Sequence, residues 1–497
     1  MIRIDARAAE GLQRQVYLAV RRAILDGVLE PGTRLPSSRG LADDLRVSRT
    51  TTLLAYEQLL AEGYLEPRRG SGTFVAEELP DDLPQQASPR RLARTKHPQL
   101  SRRGAALAAT PGPARRIGGP PRAFRLGVPA LDRFPLRLWS QLVSRRMRSM
   151  TLGQLDYAGS AGCVDLRKAV AEHVQTARGT TCVVDQVFVV AGAQRGLQMI
   201  CSVLLDPGDR VWLEEPGYPG ARSALAQAGA RIVPVRVDSQ GIDVAAGTRQ
   251  APGARMVYVT PSNQFPLGMP MSLMRRLALL KWATKAGAWI VEDDYDSEFR
   301  YATRPLQCLH GLDTDGRVMY VGTFAKSIFP AMRLGFVIVP VDLVHHVHAI
   351  RRAADLHPPM LEQMALADFI RDGHYATHLR RMRSIYRERL EALEAAAKEF
   401  CAGPLRLRTI QTGLHAVADL DGVDEGRVCE EARERGIEVA PLGTYYLGRR
   451  TANGLLLGFA STPPDTLRRG MERLAAAIDA ARRPMRAQPT RALTPRS

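Results

Sequence analysis

Long apolar runs are missing from this sequence. A membrane-spanning helix needs about 20 nearly uncharged apolar residues, and no stretch of the 497 qualifies. The nearest approach, VGTFAKSIFPAMRLGFVIVP at 321–340, is interrupted by Lys326 and Arg333. No membrane partner is therefore expected. Cysteine is scarce as well: six residues, at 163, 182, 201, 308, 401 and 429, with no CxxC pair. That argues against a disulfide framework or a zinc site, so no metal is expected, and it fits reduced thiols in a cytosol. The opening MIRIDARAAE carries charges and no apolar h-region, so no signal peptide is expected and the expected location is cytoplasmic. Acidic residues are the minority sign, 51 against 69 Lys and Arg, a formal net charge of +18. A balance that basic points to an anionic partner, most simply nucleic acid, although an arginine-rich proteome would also raise it.

What is present divides the chain. Its length suggests about three units on a prior of roughly 150 residues each. Residues 83–123 contain seven prolines, nine Lys or Arg, and no Asp or Glu. Such a segment is extended and self-repelling, which makes 78–121 a basic, proline-rich linker. It separates a small unit at 1–77 from a large one at 122–480, and 481–497 reads as a basic disordered tail.

The small unit reads as helices followed by a hairpin. LQRQVYLAVRRAILDGVL sets Leu12, Val16, Val20 and Ile24 on one helical face, with Gly27 near its end. EPGTRLPSS is a turn that supplies Ser37 or Ser38 as a cap for the short helix SRGLADDLR. VSRTTTLLAYEQLLAEG starts at Ser48, is expected to turn Leu53, Tyr56, Leu59 and Leu60 inward, and stops at Gly63. YLEPRRGSGTFVA gives two short strands around a basic tip. Together these form a small α+β winged helix–turn–helix outline.

Arg49, Thr50 and Thr51 open the second helix of the pair, the end that meets base edges. Arginine can bridge a guanine, and threonine can reach a phosphate or a thymine methyl. Arg39 belongs to the preceding helix, and Arg68, Arg69 and Gly70 to the wing, where phosphate contact is expected. The ordinary alternative for each is a cap or a solvated cation. The stretch from PGTRLPSSRGLADDLR through GSGTFV resembles the DNA-binding domain of the GntR family of bacterial repressors. That resemblance places Arg39, Arg49, Thr50 and Gly70 at DNA-contacting positions and makes double-stranded operator DNA the partner.

The large unit alternates helices with short apolar strands: QVFVVAG, DRVWLEE, ARIVPVRV, RMVYVTP, AWIVEDD, RVMYVGT and GFVIVP. That rhythm predicts a large α/β fold with a largely parallel sheet, whose ligands sit at the strands' C-terminal ends. Polar residues collect there, in AGAQ, EEPGYPG, TPSNQFPLG, EDDYDS and GTFAKS. Lys326 offers an amine that can form an imine with an aldehyde. Asp293 can hold a ring nitrogen protonated, Tyr295 can meet a phenolate oxygen, and Tyr218 offers a face for stacking. Thr323 and Arg333 can bind phosphate with the N–H groups where a helix opens at Ala193–Gln194. Singly, these read as a cap, a surface charge or core. In chain order they match the parts of pyridoxal phosphate, and a lysine with an acidic partner for the pyridinium is a signature of that cofactor.

From FRLGVPALDRFPLRLW to about residue 480 the chain is similar to fold-type I, pyridoxal-phosphate-dependent aminotransferases. A GntR-like head on such a body, with YAGSAGCVDLRKAV, VEDDYDSEFRY and the Lys326 segment, resembles the MocR subfamily of transcriptional regulators. The resemblance implies that Lys326 carries the cofactor imine, that Asp293 meets the pyridine nitrogen and that Tyr295 meets O3′. It also implies a homodimer and an effector that is pyridoxal phosphate itself or a small amine or amino acid.

Two positions depart from the enzyme pattern. Leu456 stands where the substrate-carboxylate arginine of R-[LI]-x-F would be, and Phe265 takes the asparagine slot of N-P-T-G. Both weaken the case for turnover of amino acids and leave cofactor binding intact. A sensor that regulates transcription is the expected function. A working aminotransferase with an accessory DNA-binding head is the alternative, and a body that serves only as a dimerisation scaffold is the third reading.

Overall fold

The computed structural model describes residues 4–5, 10–80, 100–109, 122–301 and 307–482. The chain divides into two compact units, Met1–Gln99 and Leu100–Ser497.

In the first unit, helix α1 (Leu12–Leu25) buries Val16, Val20 and Ile24 of the expected stripe and Tyr17 beside them, while Leu12 is half-buried. Helix α2 (Ser38–Leu45) is capped by Ser37, whose hydroxyl accepts from the Gly40 amide at 3.0 Å. Helix α3 (Arg49–Ala61) is capped in the same way by Ser48, which accepts from Thr51 at 3.1 Å. Two hydrogen bonds tie α3 to α2 and the turn before it. The Thr52 hydroxyl donates to the Ser38 carbonyl at 2.6 Å, and Tyr56 donates to the Pro36 carbonyl at 3.0 Å. Strands β1 (Leu65–Arg68) and β2 (Gly72–Val75) pair antiparallel, with Leu65 opposite Val75 and Arg68 opposite Gly72.

One inward residue differs from expectation. Leu53 is 41% exposed, whereas Thr52 is fully buried. The stripe that faces the core is Thr52, Ala55, Tyr56 and Leu59, and Leu53 lies about 100° around the helix from Thr52. A small alanine and a hydrogen-bonded threonine occupy the buried places, so apolarity alone misplaces the face.

The segment expected to be wholly linker contains a helix, α4 (Arg102–Ala109), whose first turn is capped by Ser101 at the Gly104 amide, 2.9 Å. RRGAALAA has no proline and is rich in strong helix formers, so it folds locally inside a proline-dotted region. The rest of the expected linker, 81–99 and 110–121, lies outside the described residues, as does the expected tail beyond Arg482.

The second unit is built on a sheet of eight strands: β3 (Val187–Val190), β4 (Arg210–Glu215), β5 (Arg231–Asp238), β6 (Gly241–Ile242), β7 (Met256–Val259), β8 (Trp289–Asp294), β9 (Val318–Thr323) and β10 (Gly335–Ile338). Their order is β3-β10-β9-β8-β7-β4-β5-β6. The run from β9 to β5 is parallel, and β10 is antiparallel to both neighbours. Side chains alternate across β9. Tyr320 packs into a core that includes the helices Val164–Arg178 and His374–Phe400, while Met319 and Val321 pack into one that includes the helix Ala193–Leu204. A second sheet, β11 (Leu405–Leu407), β12 (His415–Leu420), β13 (Ala440–Pro441) and β14 (Gly454–Gly458), is antiparallel in the order β11-β12-β14-β13. Among the described residues no helix is long and apolar enough to cross a membrane, and no group of three His, Cys, Asp or Glu could hold a metal.

Leu59→Ala should lower the stability of the N-terminal unit by about 2–5 kcal/mol, because a fully buried side chain leaves a cavity. Urea unfolding that follows each unit separately is expected to shift the first transition and leave the second in place.

Candidate functional site

Sheet register explains why the strand-end residues meet. Gly335, the first residue of β10, pairs with Val190 on one side and with Thr323 on the other. On β8, Asp294 pairs with Gly322. Three strand ends and the start of β10 therefore share one edge. Chain neighbours of these residues are carried to the same edge: the helix opening at Ala193, Arg333, Thr323 with Lys326, and Asp293 with Tyr295.

Asp293 is the last residue but one of β8 and is buried. One carboxylate oxygen, Oδ2, accepts from the Tyr258 phenol at 2.6 Å. The other, Oδ1, is buried and has no hydrogen-bond partner. Burial pushes the carboxyl up to about 7. The Tyr258 hydrogen bond and the Lys326 charge pull it back, and Asp294 adds to the rise. Asp294 points the other way. Burial opposes its charge, but Arg178 and Tyr320 outweigh burial and hold it below the ordinary carboxylate range. Neighbouring carboxyls on opposite faces of one strand thus have opposite electrostatics.

The Lys326 amine donates to the Gly127 carbonyl at 2.7 Å. Gly127 has φ of +70°, and a Cβ there would lie 2.6 Å from Nζ, so glycine keeps the space beside the amine open. The Tyr295 phenol accepts from the Asn263 amide at 3.1 Å, and that amide also reaches both oxygens of Asp296, at 2.9 and 3.0 Å. Tyr218 precedes the helix Pro219–Ala228 and meets Phe265 edge to face at 5.5 Å.

The opposite end of the site is built for an anion. The helix Ala193–Leu204 starts after Gly192, whose φ is +82°. Arg333, itself at φ +53°, donates to the Ala191 carbonyl at 3.0 Å, which holds its guanidinium over that turn. A Cβ on Gly192 would lie 3.4 Å from the guanidinium. Unpaired helix N–H groups and a guanidinium together favour a dianion. The Gln194 side chain is committed to the Gly220 carbonyl at 2.9 Å, so Gln194 offers its backbone N–H. The Thr323 hydroxyl accepts from the Ala325 amide at 3.2 Å.

The residues that sequence reasoning missed are Tyr258, Asn263, Asp296 and Gly127. Tyr258 sits in a run of four buried strand residues that gives no clue to its partner. Asn263 lies in the SNQFPLG segment, where the departure at Phe265 is the more visible signal.

In the first unit, Arg39, Arg49 and Thr50 are exposed, and Arg69 and Gly70 form the exposed turn of the wing. Thr51 is half-buried, and its hydroxyl is hydrogen-bonded to Ser48 at 2.7 Å, so it serves the cap. Arg68 pairs with Glu66 and with Glu77 at 2.7 Å and lies over the Phe74 ring at 4.8 Å. Two carboxylates offset its charge locally, which leaves Arg69 as the freer cation of the pair. Arg34, not singled out from sequence, adds a guanidinium beside Gly72 of the wing.

Comparison with known proteins gives the same division. Residues 12–75 match the family of bacterial regulatory proteins, gntR family, and residues 140–474 match aminotransferase class I and II. The probable rhizopine catabolism regulatory protein MocR of Rhizobium meliloti is 41% identical, over 96% of each chain. The HTH-type pyridoxine biosynthesis transcriptional regulator PdxR of Corynebacterium glutamicum is 30% identical, over 94% of this chain and 96% of that one. The α-aminoadipate aminotransferase LysN of Thermus thermophilus, solved with N-(5'-phosphopyridoxyl)-L-leucine, is 28% identical with a TM-score of 0.66. The match covers 72% of this chain and 92% of that one.

Burial of Asp293 makes stability depend on pH. Its folded-state value near 7 exceeds that of an unfolded aspartate, about 4. Between these values the folded chain holds the extra proton, so stability falls as pH rises from about 4 to about 7. Asp293→Asn should reduce that slope in the unliganded protein by up to about 1.4 kcal/mol per pH unit. Denaturant unfolding across this range measures it, and an unchanged slope would contradict the burial of this carboxyl.

Proposed function

The chain belongs to the MocR-type GntR regulators, with a winged helix–turn–helix head and an aminotransferase class I and II body. From that premise we propose that its body holds pyridoxal 5'-phosphate and reads an amino compound beside it. Occupancy then changes how a homodimer grips double-stranded operator DNA. The observation that carries this reading is the unpartnered, buried Oδ1 of Asp293. A buried carboxylate oxygen without a donor calls for a cationic N–H, and a protonated pyridine nitrogen supplies one. The other donors fit the remaining parts of the cofactor. The Lys326 amine suits the aldehyde, Tyr295 the ring oxygen, Tyr218 the ring face, and Arg333, Thr323 and the N–H groups at Ala193–Gln194 the phosphate.

Bound there, the cofactor supplies an electrophilic carbon and an electron-withdrawing ring. The chain's own part is positional. Tyr258 orients Asp293 and leaves one oxygen free. Asn263 fixes the Tyr295 phenol. The Gly127 carbonyl holds the Lys326 amine, and Arg333 with the helix N-terminus anchors the anion. Association with a second copy is supported by the exposed apolar side chains Leu136, Met147, Leu152 and Leu155 with Tyr157, of which Leu152 is 87% and Tyr157 85% exposed. Catalysis of transamination is the second reading, favoured by the intact Lys326, Asp293 and Tyr295. Leu456, fully buried in an apolar cluster, weighs against it.

Two experiments test this function. Borohydride reduction of the cofactor-loaded protein, then peptide mass spectrometry, should find the adduct on Lys326, and Lys326→Ala should abolish it. An adduct that persists on another residue would overturn the assignment. Arg49→Ala should weaken operator binding by about 1–3 kcal/mol and relax specificity at one base pair. Arg69→Ala should weaken all sequences alike and lower the salt slope by about one, with Arg68→Ala acting less because of its two carboxylates. Equal losses on operator and scrambled DNA for Arg49→Ala would make its role purely electrostatic.

A further inference from the structure

Arg300 carries a cation that no described residue balances. As a residue it is half-buried, yet Nε, Nη1 and Nη2 are all buried, and none has a hydrogen-bond partner among the described residues. Burial, and then the charge of Arg178, lowers its pKa from the ordinary arginine value. The charged groups around it are committed elsewhere. Arg178 donates to Asp294 at 2.7 Å and to Ser262 at 3.0 Å, and Asp294 also accepts from Tyr320. Arg276 donates to the carbonyls of Pro261, Met271 and Gln307 at 2.7, 3.1 and 3.2 Å. Both oxygens of Asp296 accept from the Asn263 amide, and burial pushes that carboxyl up to about 8, so at neutral pH it supplies no anion. Residues 302–306, next in the chain, include no Asp or Glu. A desolvated guanidinium in this state calls for an anion.

A second unpartnered donor lies beside it. Arg300 forms an antiparallel bridge with Thr412, and residues opposite each other in such a pair share one face. Thr412 is 1% exposed, and its hydroxyl also lacks a partner among the described residues. The chain neighbours of Arg300, Phe299 and Tyr301, pack into the core on the other face. The bridge adjoins the cofactor end of the unit. Gly413, next to Thr412, has φ of +88°, and a Cβ there would collide with the Asn263 amide and lie 2.7 Å from Asp296 Oδ2. That amide is the one that holds the Tyr295 phenol. Asp296 lies close enough to both Lys326 and Arg300 to interact with each charge. A fork of guanidinium donors with a hydroxyl beside it matches a carboxylate. The phosphate does not need this seat, because Arg333 and the helix N-terminus already provide for it.

Resting on the cofactor-holding reading of the body, we infer that Arg300 and Thr412 form a second anion seat, which takes the carboxylate of an amino acid whose amine lies at the cofactor. The test uses the full-length protein freed of cofactor and three reduced conjugates: N-(5'-phosphopyridoxyl)-L-alanine, N-(5'-phosphopyridoxyl)-β-alanine and N-(5'-phosphopyridoxyl)-ethylamine. All three share the cofactor part, and the first two add one carboxylate at different reach. Calorimetric titration is expected to show at least one carboxylate conjugate binding at least roughly tenfold more tightly than the ethylamine conjugate. Arg300→Gln should bring that ratio close to one by weakening the carboxylate conjugates. Equal affinity for all three in the wild type overturns the inference and leaves the cofactor reading standing. Failure of all three to bind overturns both. A ratio that survives in Arg300→Gln also overturns it, because the arginine then serves the fold or another contact. Should Arg300→Gln not fold, Thr412→Val is expected to lower the ratio, and an unchanged ratio there overturns the seat.

Discussion

A buried carboxylate that uses only half of its hydrogen-bonding capacity organises the large unit. Asp293 keeps Oδ2 on Tyr258 and leaves Oδ1 without a donor. Such a group is costly in a dry interior unless a cation completes it. The Lys326 amine, the Tyr295 phenol, and the anion seat of Arg333 and the helix N-terminus are gathered at the same edge of the sheet. The arrangement suits one ring-shaped, anionic, aldehyde-bearing molecule.

Topology makes that convergence possible. Because β10 runs antiparallel between β3 and β9, its first residue shares an edge with the last residues of its neighbours. Arg333 precedes β10 in the chain and Lys326 comes after β9, so a short return through Phe329–Met332 puts amine and guanidinium at one site. The seven-residue spacing of these two cations in an apolar segment is thus the sequence trace of a strand, a turn and a reversed strand. The head needs no such long-range assembly. Two serine caps and the bonds from Thr52 and Tyr56 set the angle of α3 locally.

Much of this is legible in the sequence, and the misses have physical causes. All seven apolar stretches read as strands form strands of the large sheet, because each is a short apolar run, mostly β-branched and bounded by turn residues. The polar clusters at their ends mark the site. The Asp293–Tyr258 bond is invisible in the sequence, since it joins residues 35 apart on adjacent strands. Asn263 and Asp296 meet across two loops, and no local pattern records that. Leucine usually faces inward, which misplaces Leu53, whereas the core side of α3 is set by Thr52 and Ala55. The helix at Arg102–Ala109 is hidden by the composition of the residues around it, although its own eight residues favour helix. Chemistry concentrated at strand ends can be read from one sequence; pairing between distant elements cannot.

On the proposed reading, Asp293 completes its hydrogen bonding with the protonated ring nitrogen of pyridoxal phosphate. The most direct measurement is the dissociation constant of pyridoxal phosphate for the wild-type chain and for Asp293→Asn, read from absorbance at one pH near 8. Removing one partner of a buried ion pair costs about 3–5 kcal/mol, so the variant should bind at least roughly 100-fold more weakly. Equal affinity in the two proteins would contradict the account.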